Sequence, residues 1–344
     1  MKDIYIITGA NGHLGSTIIR ALKKQIHSHS SRIREIRGLI LPGEQPPFKE
    51  DNYVRWYYGD VTDIPSLVPL FAHTEHDRII VIHTAGIIDI TASQVTEKMR
   101  LVNVDGTKNM VTAAMSHHVY RFIYVSSVHA IPERPGNETM IETTDFNPDK
   151  VVGGYAKTKA EATRFILDSV KLGLPAVVVH PSGIIGPYDT QRNHLVALIK
   201  DYISGKLPAC VRGGYDFVDV RDVAAGCLSA VSKGKIGECY ILSNEHFEVK
   251  KMLDSVKNIT GAKRVRMIPM WLAKMSAPML GLGAKIHHKK PLYTRYSLYT
   301  LTSNGRFSHD KATKELNYRP RELKSTLRDT LRWLKLQKSG HRMY

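Results

Sequence analysis

A glycine pattern near the N-terminus constrains the fold of this 344-residue chain more than any other feature. The spacing is G-x-x-G-x-x-G, formed by Gly9, Gly12 and Gly15. An apolar run over residues 3–8 predicts a β-strand before the glycines, and apolar residues at helical spacing over 14–26 predict a helix after them. Glycines at such a turn let the backbone approach a phosphate group, and the helix N-terminus supplies free N–H groups and partial positive charge. Because the pattern lies between a strand and a helix, it predicts a dinucleotide-binding turn.

Short β-rich runs alternate with helical patterns through the first half of the chain, which predicts a parallel sheet with crossover helices. The expected strands cover residues 3–8, 36–41, 53–58, 79–84, 122–126 and 176–180. A helix is expected over 94–117 and another after Tyr155, whereas the pattern loosens after Pro181. We therefore expect an α/β fold, a Rossmann-type doubly wound parallel sheet with a smaller C-terminal substrate lobe.

The change of pattern also suggests how the chain is divided. We expect residues 1–181 to form an NAD(P)-binding Rossmann domain, to which 213–243 return. Residues 182–212 and 244–334 would form the substrate-binding lobe, followed by a basic tail over 335–344.

The chain is strongly basic, with 49 Lys and Arg against 32 Asp and Glu and a formal net charge of +17. Such a charge fits a nucleic-acid or anionic-membrane partner, or an enzyme whose field attracts anionic cofactors. The basic residues are dispersed, apart from a cluster over 285–290 and the C-terminal segment, and neither is interleaved with aromatic residues. We therefore expect a small-molecule substrate and no nucleic acid.

The cysteines and the apolar runs argue for a cytoplasmic protein without a membrane span. Cys210, Cys227 and Cys239 have neither metal-ligand nor redox spacing, so reduced thiols and no metal site are expected. The N-terminal apolar run is too short for the core of a signal peptide, and no transmembrane segment is predicted.

Residues at three further strand ends are candidate cofactor contacts. Asp60, followed by Val61, ends the third strand, where its carboxylate could accept a bond from an adenine amino group or cap a helix. Thr84, Ala85 and Gly86 end the fourth strand, and such small residues leave room for a ribose.

The end of the second strand leaves the choice between NAD and NADP open. An acid there would bind the ribose hydroxyls, and an Arg would favour a 2′-phosphate. Leu41 occupies the position and is neither, while Arg37, Glu44 and Lys49 are nearby in sequence.

Tyr155 and Lys159 form a Y-x-x-x-K pair, which places both side chains on one helix face. Hydride transfer to a carbonyl needs a proton donor beside the carbonyl oxygen, but the reference pKa of Tyr is ~10. Lowering that pKa by ~3 units requires ~4 kcal/mol, about what one cation ~4 Å away supplies at an effective dielectric of ~20. The pair therefore predicts a general acid/base tuned by an ammonium group.

Two more polar residues are candidates for the same chemistry. Ser127, favoured over Ser126, follows the fifth strand, where its hydroxyl could donate to the substrate oxygen or cap the strand end. Asn103 lies in the preceding helix, where its amide could hold a water in a proton path or satisfy backbone groups.

Together these residues resemble the extended short-chain dehydrogenase/reductase family, also called the NAD-dependent epimerase/dehydratase family. The resemblance extends from Ile4 to about Leu334 and includes the motif over 180–187 and Phe217-Val-Asp-Val-Arg-Asp-Val223. It implies that Ser127 polarises a carbonyl, Tyr155 is the acid/base, and Lys159 binds the nicotinamide ribose. The cofactor contacts it implies elsewhere are Gly9, Asn11, Gly12, His13, Leu14, Gly15, His180, Pro181, Gly183 and Ile184. By the resemblance, the residues from His180 to Ile184 would line the nicotinamide. Homodimers are common among such proteins, so a homodimer stays open.

Departures from the family pattern narrow the reaction. Val128 and His129 follow the serine where sugar-nucleotide dehydratases place acids, which disfavours a dehydratase. Tyr215 stands where sugar-nucleotide epimerases tend to have an Arg, although Arg212 is close. The segment over 181–183 is similar to the dihydroflavonol-reductase and 3β-hydroxysteroid-dehydrogenase branch. His129 and Tyr215 are candidate substrate contacts, although a structural histidine is an equal alternative for His129.

These observations favour an NAD(P)-dependent oxidoreductase that interconverts a ketone and a secondary alcohol on a small substrate of apolar or mixed polarity. One alternative is a sugar or sugar-nucleotide epimerase with tightly bound NAD. A second is a non-catalytic dinucleotide-sensing regulator, against which the complete Ser/Tyr/Lys set argues.

Overall fold

A computed structural model describes residues 1–26, 31–74, 76–90, 92–136, 138–189, 193–207, 209–273, 275 and 295–339. These residues form a seven-stranded sheet with the order β10-β6-β5-β4-β1-β2-β3. In chain order its strands are β1 (Lys2–Thr8), β2 (Ile33–Ile40), β3 (Val54–Tyr58), β4 (Asp77–His83), β5 (Arg121–Val125), β6 (Ala176–Pro181) and β10 (Cys239–Leu242). Every neighbouring pair runs parallel. The prediction of a Rossmann-type parallel sheet is confirmed.

The strand order places a crevice at the carboxyl ends of β1 and β4. The chain leaves β1 toward β2 on one side, and β4 then pairs with β1 on the other side. Such a reversal of strand order is where open α/β sheets bind ligands. The glycine turn follows β1, and Thr84, Ala85 and Gly86 follow β4, so both lie at this edge.

The sheet is buried on both faces, as the apolar strands require. In β4, Ile80 and Ile82 pack in one hydrophobic cluster, whereas Ile79 and Val81 pack in another on the opposite face. The helices over the two faces supply the rest of each cluster.

The helices that accompany the sheet are α1 (His13–Ile26), α2 (Ile64–Leu67), α3 (Glu97–Arg100), α4 (Gly106–Ser116), α5 (Gly154–Lys171) and α7 (Val220–Lys233). The helix expected over 94–117 is divided by a π-helical segment, Leu101–Asp105, between α3 and α4. Short 3₁₀ turns cover Val68–Phe71, Val128–Ala130 and Pro148–Lys150. The helix α10 (Asp310–Leu316) packs against α7 and β10.

A further hydrophobic cluster is formed by residues that follow β6 in the chain, and it contains Ile199, Phe217, Leu253 and Trp333. It is built from the helices α6 (His194–Ile203), α8 (Val249–Thr260) and α11 (Leu323–Lys338), with α9 (Arg295–Thr300) nearby in sequence. Its strands are β7 (Gly183–Ile185), β8 (Ala209–Val211), β9 (Gly214–Asp219), β11 (Glu245–Glu248) and β12 (Arg266–Ile268). We call this part the second lobe.

The domain limits expected from the sequence remain a prediction, although β10 does join the main sheet and α7 packs beside it. The basic cluster over 285–290 and the end of the basic tail, 340–344, lie outside the described residues. Among the described helices, none is both long and apolar enough to cross a membrane.

Candidate active site

The glycine turn after β1 is packed so closely that side chains are excluded. Gly9 has φ +62°, and a Cβ on it would lie 2.9 Å from both N and Cα of Ala85. A Cβ on Gly15 would collide with the carbonyl oxygen of Gly9. The backbone N–H of Gly12 donates to the Gly9 carbonyl over 2.9 Å, which closes the turn. The turn therefore brings bare backbone and the N-terminus of α1 to the crevice, as a dinucleotide phosphate requires.

The end of β2 places an acid beside this turn. The amide Nδ2 of Asn11 donates to Oε2 of Glu44 over 3.2 Å, whereas Leu41 is largely exposed. Arg37 is buried elsewhere, where it pairs with Glu35 and donates to the carbonyls of residues 70 and 72. Of the three charged residues left open by the sequence, Glu44 is the one in contact with the glycine turn.

Asp60 and Val61 lie at the end of β3, and the aspartate carboxylate already accepts hydrogen bonds from a neighbouring residue. Its Oδ1 accepts from both the backbone N–H and the hydroxyl of Thr62, each over 2.9 Å. Val61 is buried against Gly106 of α4. The carboxylate thus has a local capping role, and its role toward an adenine remains a proposal.

The end of β4 is tied directly to the end of β1. The hydroxyl of Thr8 accepts from the N–H groups of Thr84 and Ala85 over 3.2 and 3.1 Å, and Thr84 donates its hydroxyl to the Thr8 carbonyl over 2.7 Å. A Cβ on Gly86 would lie 3.2 Å from Oδ1 of Asn103 and 3.6 Å from Nζ of Lys159. Gly86 therefore connects the cofactor crevice to the proposed catalytic residues.

Tyr155 lies one residue inside the N-terminus of α5, and its side chain is 5% exposed. The Ser127 side chain lies beside it and lowers its pKa, and the Ser127 hydroxyl also accepts from the N–H of His129 over 3.2 Å. Ser126 points elsewhere, because its hydroxyl bonds that of Thr163 over 2.7 Å in the core. The structure thus brings Ser127, rather than Ser126, to Tyr155.

Lys159 is buried one turn further along α5. Its Nζ donates to the Val125 carbonyl over 2.8 Å and lies 5.0 Å from the ring centroid of Tyr124. Burial lowers the pKa of Lys159 to about 7. The amine is therefore held by a strand end and a ring face, with no carboxylate as its partner in the described residues.

The acidity of Tyr155 differs from what its spacing to Lys159 predicts. Burial raises the pKa of Tyr155 to about 12, although the Ser127 side chain lowers it. Desolvation disfavours the phenolate, and the lysine is only partly protonated near neutral pH, so its charge does not offset that cost. In the chain by itself Tyr155 is a protonated phenol, which suits a proton donor.

Asn103 occupies the π-helical segment between α3 and α4. Its Oδ1 accepts from the N–H of Ile87 over 2.7 Å, and its Nδ2 donates to the Ile87 carbonyl and to the Thr158 hydroxyl, each over 3.0 Å. Asn103 therefore joins the segment after β4 to α5 beside Tyr155. Of the two roles considered for Asn103, these bonds correspond to the one in which its amide satisfies backbone groups. π-Helical segments such as this one are frequent at functional sites.

His180 fixes the backbone of Ser127 from the neighbouring strand. Its Nδ1 lies 3.0 Å from the Ser127 carbonyl, and its ring stacks on Phe146. Burial lowers the pKa of His180 to about 4, so the ring is neutral. Pro181 ends β6, and Gly183 and Ile184 begin β7 and are half-buried at the same edge.

His129 and Tyr215 meet beside Tyr155. The Tyr215 hydroxyl lies 3.0 Å from Nε2 of His129, and the His129 ring packs edge-on to Tyr155 with centroids 6.1 Å apart. Burial lowers the pKa of His129 to about 4, so it is neutral at pH 7. The His129 ring thus lies between Tyr155 and Tyr215 of the second lobe and contacts both.

His13 differs from the other turn residues, because its ring is directed toward the second lobe. Its Nε2 lies 2.8 Å from the Pro187 carbonyl, and its Nδ1 lies 3.0 Å from Nδ2 of Asn193. Sequence reasoning missed Asn193. A signal was available, because Asn193 directly precedes the apolar helix α6 and caps it.

A second missed feature is a basic cavity in the second lobe. Its volume is about 540 Å³, and its lining includes Arg212, His246, Lys250, Arg306 and one acid, Glu248. Because these residues come from separate elements, no sequence spacing links them.

The residues of the crevice fit a dinucleotide. The glycine turn offers a phosphate cradle that a Cβ would fill, Gly86 leaves space beside Lys159, and Glu44 accepts from Asn11 of the turn. Of the remaining candidates, Leu14 of α1 is buried in the hydrophobic core, whereas Leu41, which follows β2, is exposed.

The fold and the glycine turn define a Rossmann-type dinucleotide-binding protein. The chain belongs to the NAD dependent epimerase/dehydratase family, whose model matches residues 5–243. The family prediction and the expectation of NAD or NADP as cofactor are confirmed.

Several relatives align over nearly the whole chain. Sterol demethylase protein B of Methylococcus capsulatus is 28% identical over 336 residues, which cover 96% of this chain and 98% of that protein. A putative dihydroflavonol 4-reductase of Synechocystis sp. is 26% identical over 352 residues, covering 97% and 95%. The crystal structure of gox2253 superposes with a TM-score of 0.80 at 30% identity and covers 99% of this chain and 100% of that one.

Proposed function

We propose that this protein is an NAD(P)-dependent oxidoreductase that interconverts a ketone and a secondary alcohol. One observation carries the proposal: the phenol of Tyr155 is buried beside the Ser127 side chain, which lowers its pKa, and Lys159 lies one helical turn away on α5. The likeness to a putative dihydroflavonol 4-reductase supports the same class of reaction.

The roles of the residues follow from their surroundings. Ser127 donates a hydrogen bond to the substrate oxygen and aligns it with Tyr155, which transfers the proton. Because burial keeps the phenol protonated, the free chain is prepared for the reductive direction. A bound nicotinamide supplies the hydride. Lys159, held by Val125, binds the nicotinamide ribose, and Asn103 keeps the segment around Gly86 in place.

The acid beside the glycine turn leads us to propose NAD rather than NADP. The Glu44 carboxylate lies within 3.2 Å of Asn11 at the end of β2. A carboxylate there accepts bonds from the ribose hydroxyls and repels a 2′-phosphate. Arg37, which could have favoured the phosphate, is committed to Glu35 and to backbone carbonyls.

The substrate side of the site is aromatic and neutral. His129 and Tyr215 line it, and burial keeps His129 uncharged. Such a wall fits the proposal of a small substrate with an apolar or mixed-polarity body.

The basic cavity favours a second candidate, a sugar-nucleotide epimerase with tightly held NAD. Arg212, Lys250 and Arg306 place three cations around a volume of about 540 Å³. Gly305, which also lines it, lies against Tyr215, so the cavity adjoins the aromatic wall. A diphosphate would be attracted there.

Three measurements on the purified protein separate these functions. Fluorescence titration with NADH and NADPH tests cofactor binding, and we expect NADH to bind more tightly. A panel of ketones with the preferred dinucleotide tests turnover, and oxidation of NADH by at least one ketone is expected.

Cofactor released by denaturing the protein as purified, together with conversion of a sugar nucleotide, would favour the epimerase instead. Dinucleotide binding with no turnover of any ketone, alcohol or sugar nucleotide would favour a non-catalytic sensor, and no binding would contradict the proposal.

A further inference from the structure

One side chain of the glycine turn leaves the cofactor crevice and enters the second lobe. The His13 ring is 8% exposed, and its two nitrogens lie 2.8 Å from the Pro187 carbonyl and 3.0 Å from Nδ2 of Asn193. A carbonyl only accepts, so Nε2 carries the proton and Nδ1 accepts from the asparagine amide. Both nitrogens of a neutral imidazole are therefore satisfied by residues from the start of the second lobe.

Asn193 connects His13 to two further parts of the second lobe through hydrogen bonds. Its Nδ2 also donates to the Ile184 carbonyl over 2.8 Å, and Ile184 lies in the segment proposed to line the nicotinamide. Its Oδ1 accepts from the N–H groups of Leu195 and Val196 over 2.8 and 3.2 Å, which caps α6. One amide thus links His13, β7 and the first turn of α6.

A second residue of α1 holds the same segment. Arg20 is two helical turns after His13 and therefore on the same face of α1. Its guanidinium lies 5.0 Å from the ring centroids of both Phe48 and Tyr188. Tyr188 itself has φ +73°, a left-handed conformation that a bulky residue adopts only when its surroundings impose it. Residues 186–189 are thus clamped to the helix that begins at the glycine turn.

The charges around His13 are consistent with a neutral ring. Burial lowers its pKa, whereas Asp189 and Asp219, from the segment and from the start of α7, oppose that shift. A protonated ring would present a second donor to the Asn193 amide, which is itself a donor there.

We propose that His13 is a positioning residue that sets the nicotinamide end of the site and the first turn of α6 relative to the glycine turn, so that dinucleotide binding orders α6 through Asn193. This inference rests on the proposed placement of the dinucleotide on the glycine turn. It assigns His13 a function that requires both a donor and an acceptor on one side chain, since both ring nitrogens are used.

Hydrogen exchange with NADH as the probe tests the inference without turnover. In the wild type, NADH should slow exchange both in the turn over 9–15 and in the first turn of α6. His13→Phe retains the volume and removes both bonds, and it should lose the α6 response while the response in the turn persists. Because coupling is reciprocal, NADH binding should weaken by the factor by which α6 protection falls, about fivefold or more. His13→Gln, which offers a donor and an acceptor, should restore part of both effects.

Two further variants serve as a second test of the link to α6 and as a control for the histidine substitution. Asn193→Ser keeps an N-cap for α6 but has no amide to reach His13, so it should lose the α6 response even if His13→Phe fails to fold. His73→Phe makes the same chemical change away from the site, where Nδ1 lies 2.8 Å from the Phe71 carbonyl, and should respond as the wild type does. Undiminished α6 protection by NADH in His13→Phe or Asn193→Ser would overturn the inference. Wild-type protection of the turn without protection of α6 would overturn it too, leaving the dinucleotide placement intact. No protection at either place would overturn both.

Discussion

The Tyr215 hydroxyl lies 3.0 Å from Nε2 of His129, and the two rings stack with their planes 14° apart. Tyr215 belongs to β9 of the second lobe, whereas His129 follows Ser127 at the end of β5. The contact therefore joins the strand end that carries the proposed catalytic serine to the lobe proposed to hold the substrate.

We predict that Tyr215→Phe lowers kcat/KM for a ketone substrate by about fivefold to tenfold, since a hydrogen bond of ordinary net strength is lost while the stacking remains. The loss should appear mainly in KM, because the lost bond is to His129 of the proposed substrate contacts. Steady-state kinetics measures it, with NADH affinity expected to stay unchanged.

Tyr240→Phe is the matched control for that prediction. Its hydroxyl is also hydrogen-bonded, to Glu315 over 2.9 Å, but in β10 at the edge of the main sheet. An equal fall in kcat/KM in both variants would mean that the loss at Tyr215 reflects general destabilisation.

Glu44 should determine the dinucleotide preference. Glu44→Gln removes the charge that repels a 2′-phosphate, so we predict that the ratio of NADPH to NADH dissociation constants falls about tenfold, or ~1.4 kcal/mol. Fluorescence titration measures both constants. Glu322→Gln makes the same change at an exposed residue before α11 and should leave the ratio as in the wild type. An unaltered ratio in Glu44→Gln would remove Glu44 from the ribose site.

The buried amine of Lys159 should make stability depend on pH. Its pKa is about 7 in the folded chain, against 10.5 for an ordinary lysine, so between pH 7 and 10.5 the unfolded chain binds a proton that the folded chain lacks. The free energy of unfolding without dinucleotide should therefore rise with pH in that window, with a contribution of up to about 1.4 kcal/mol per pH unit. Below about pH 7 both states bind the proton and this contribution vanishes.

Lys159→Met tests how much of this pH dependence comes from the amine of Lys159, because the variant keeps an unbranched side chain and removes the titrating group. Urea unfolding across the window should give a steeper rise for the wild type than for the variant. Parallel curves for the two proteins would show that Lys159 remains protonated in the folded state.

The sequence predicts the sheet and its cofactor edge well, because both depend on local patterns. The glycines fix a turn by sterics alone, and β4 alternates between two buried faces as its apolar run requires. Tyr155 and Lys159 are likewise connected by helical spacing within α5.

Contacts between distant segments could not be predicted in this way. The bond from Asn11 to Glu44 depends on how the chain turns after β2, and the contact of His13 with Asn193 joins residues 180 positions apart. The pKa of Tyr155 is not predictable from helical spacing for a related reason. Burial depends on the whole fold, and it raises this pKa although Lys159 is one turn away.

The most direct test of the account is the rate of NADH oxidation by a ketone substrate in Tyr155→Phe. The variant removes only the phenol hydroxyl beside Ser127, so we predict that turnover falls about 100-fold or more while NADH affinity is retained. A Tyr155→Phe protein that binds NADH normally and keeps most of its turnover would contradict the assignment of Tyr155 as the proton donor.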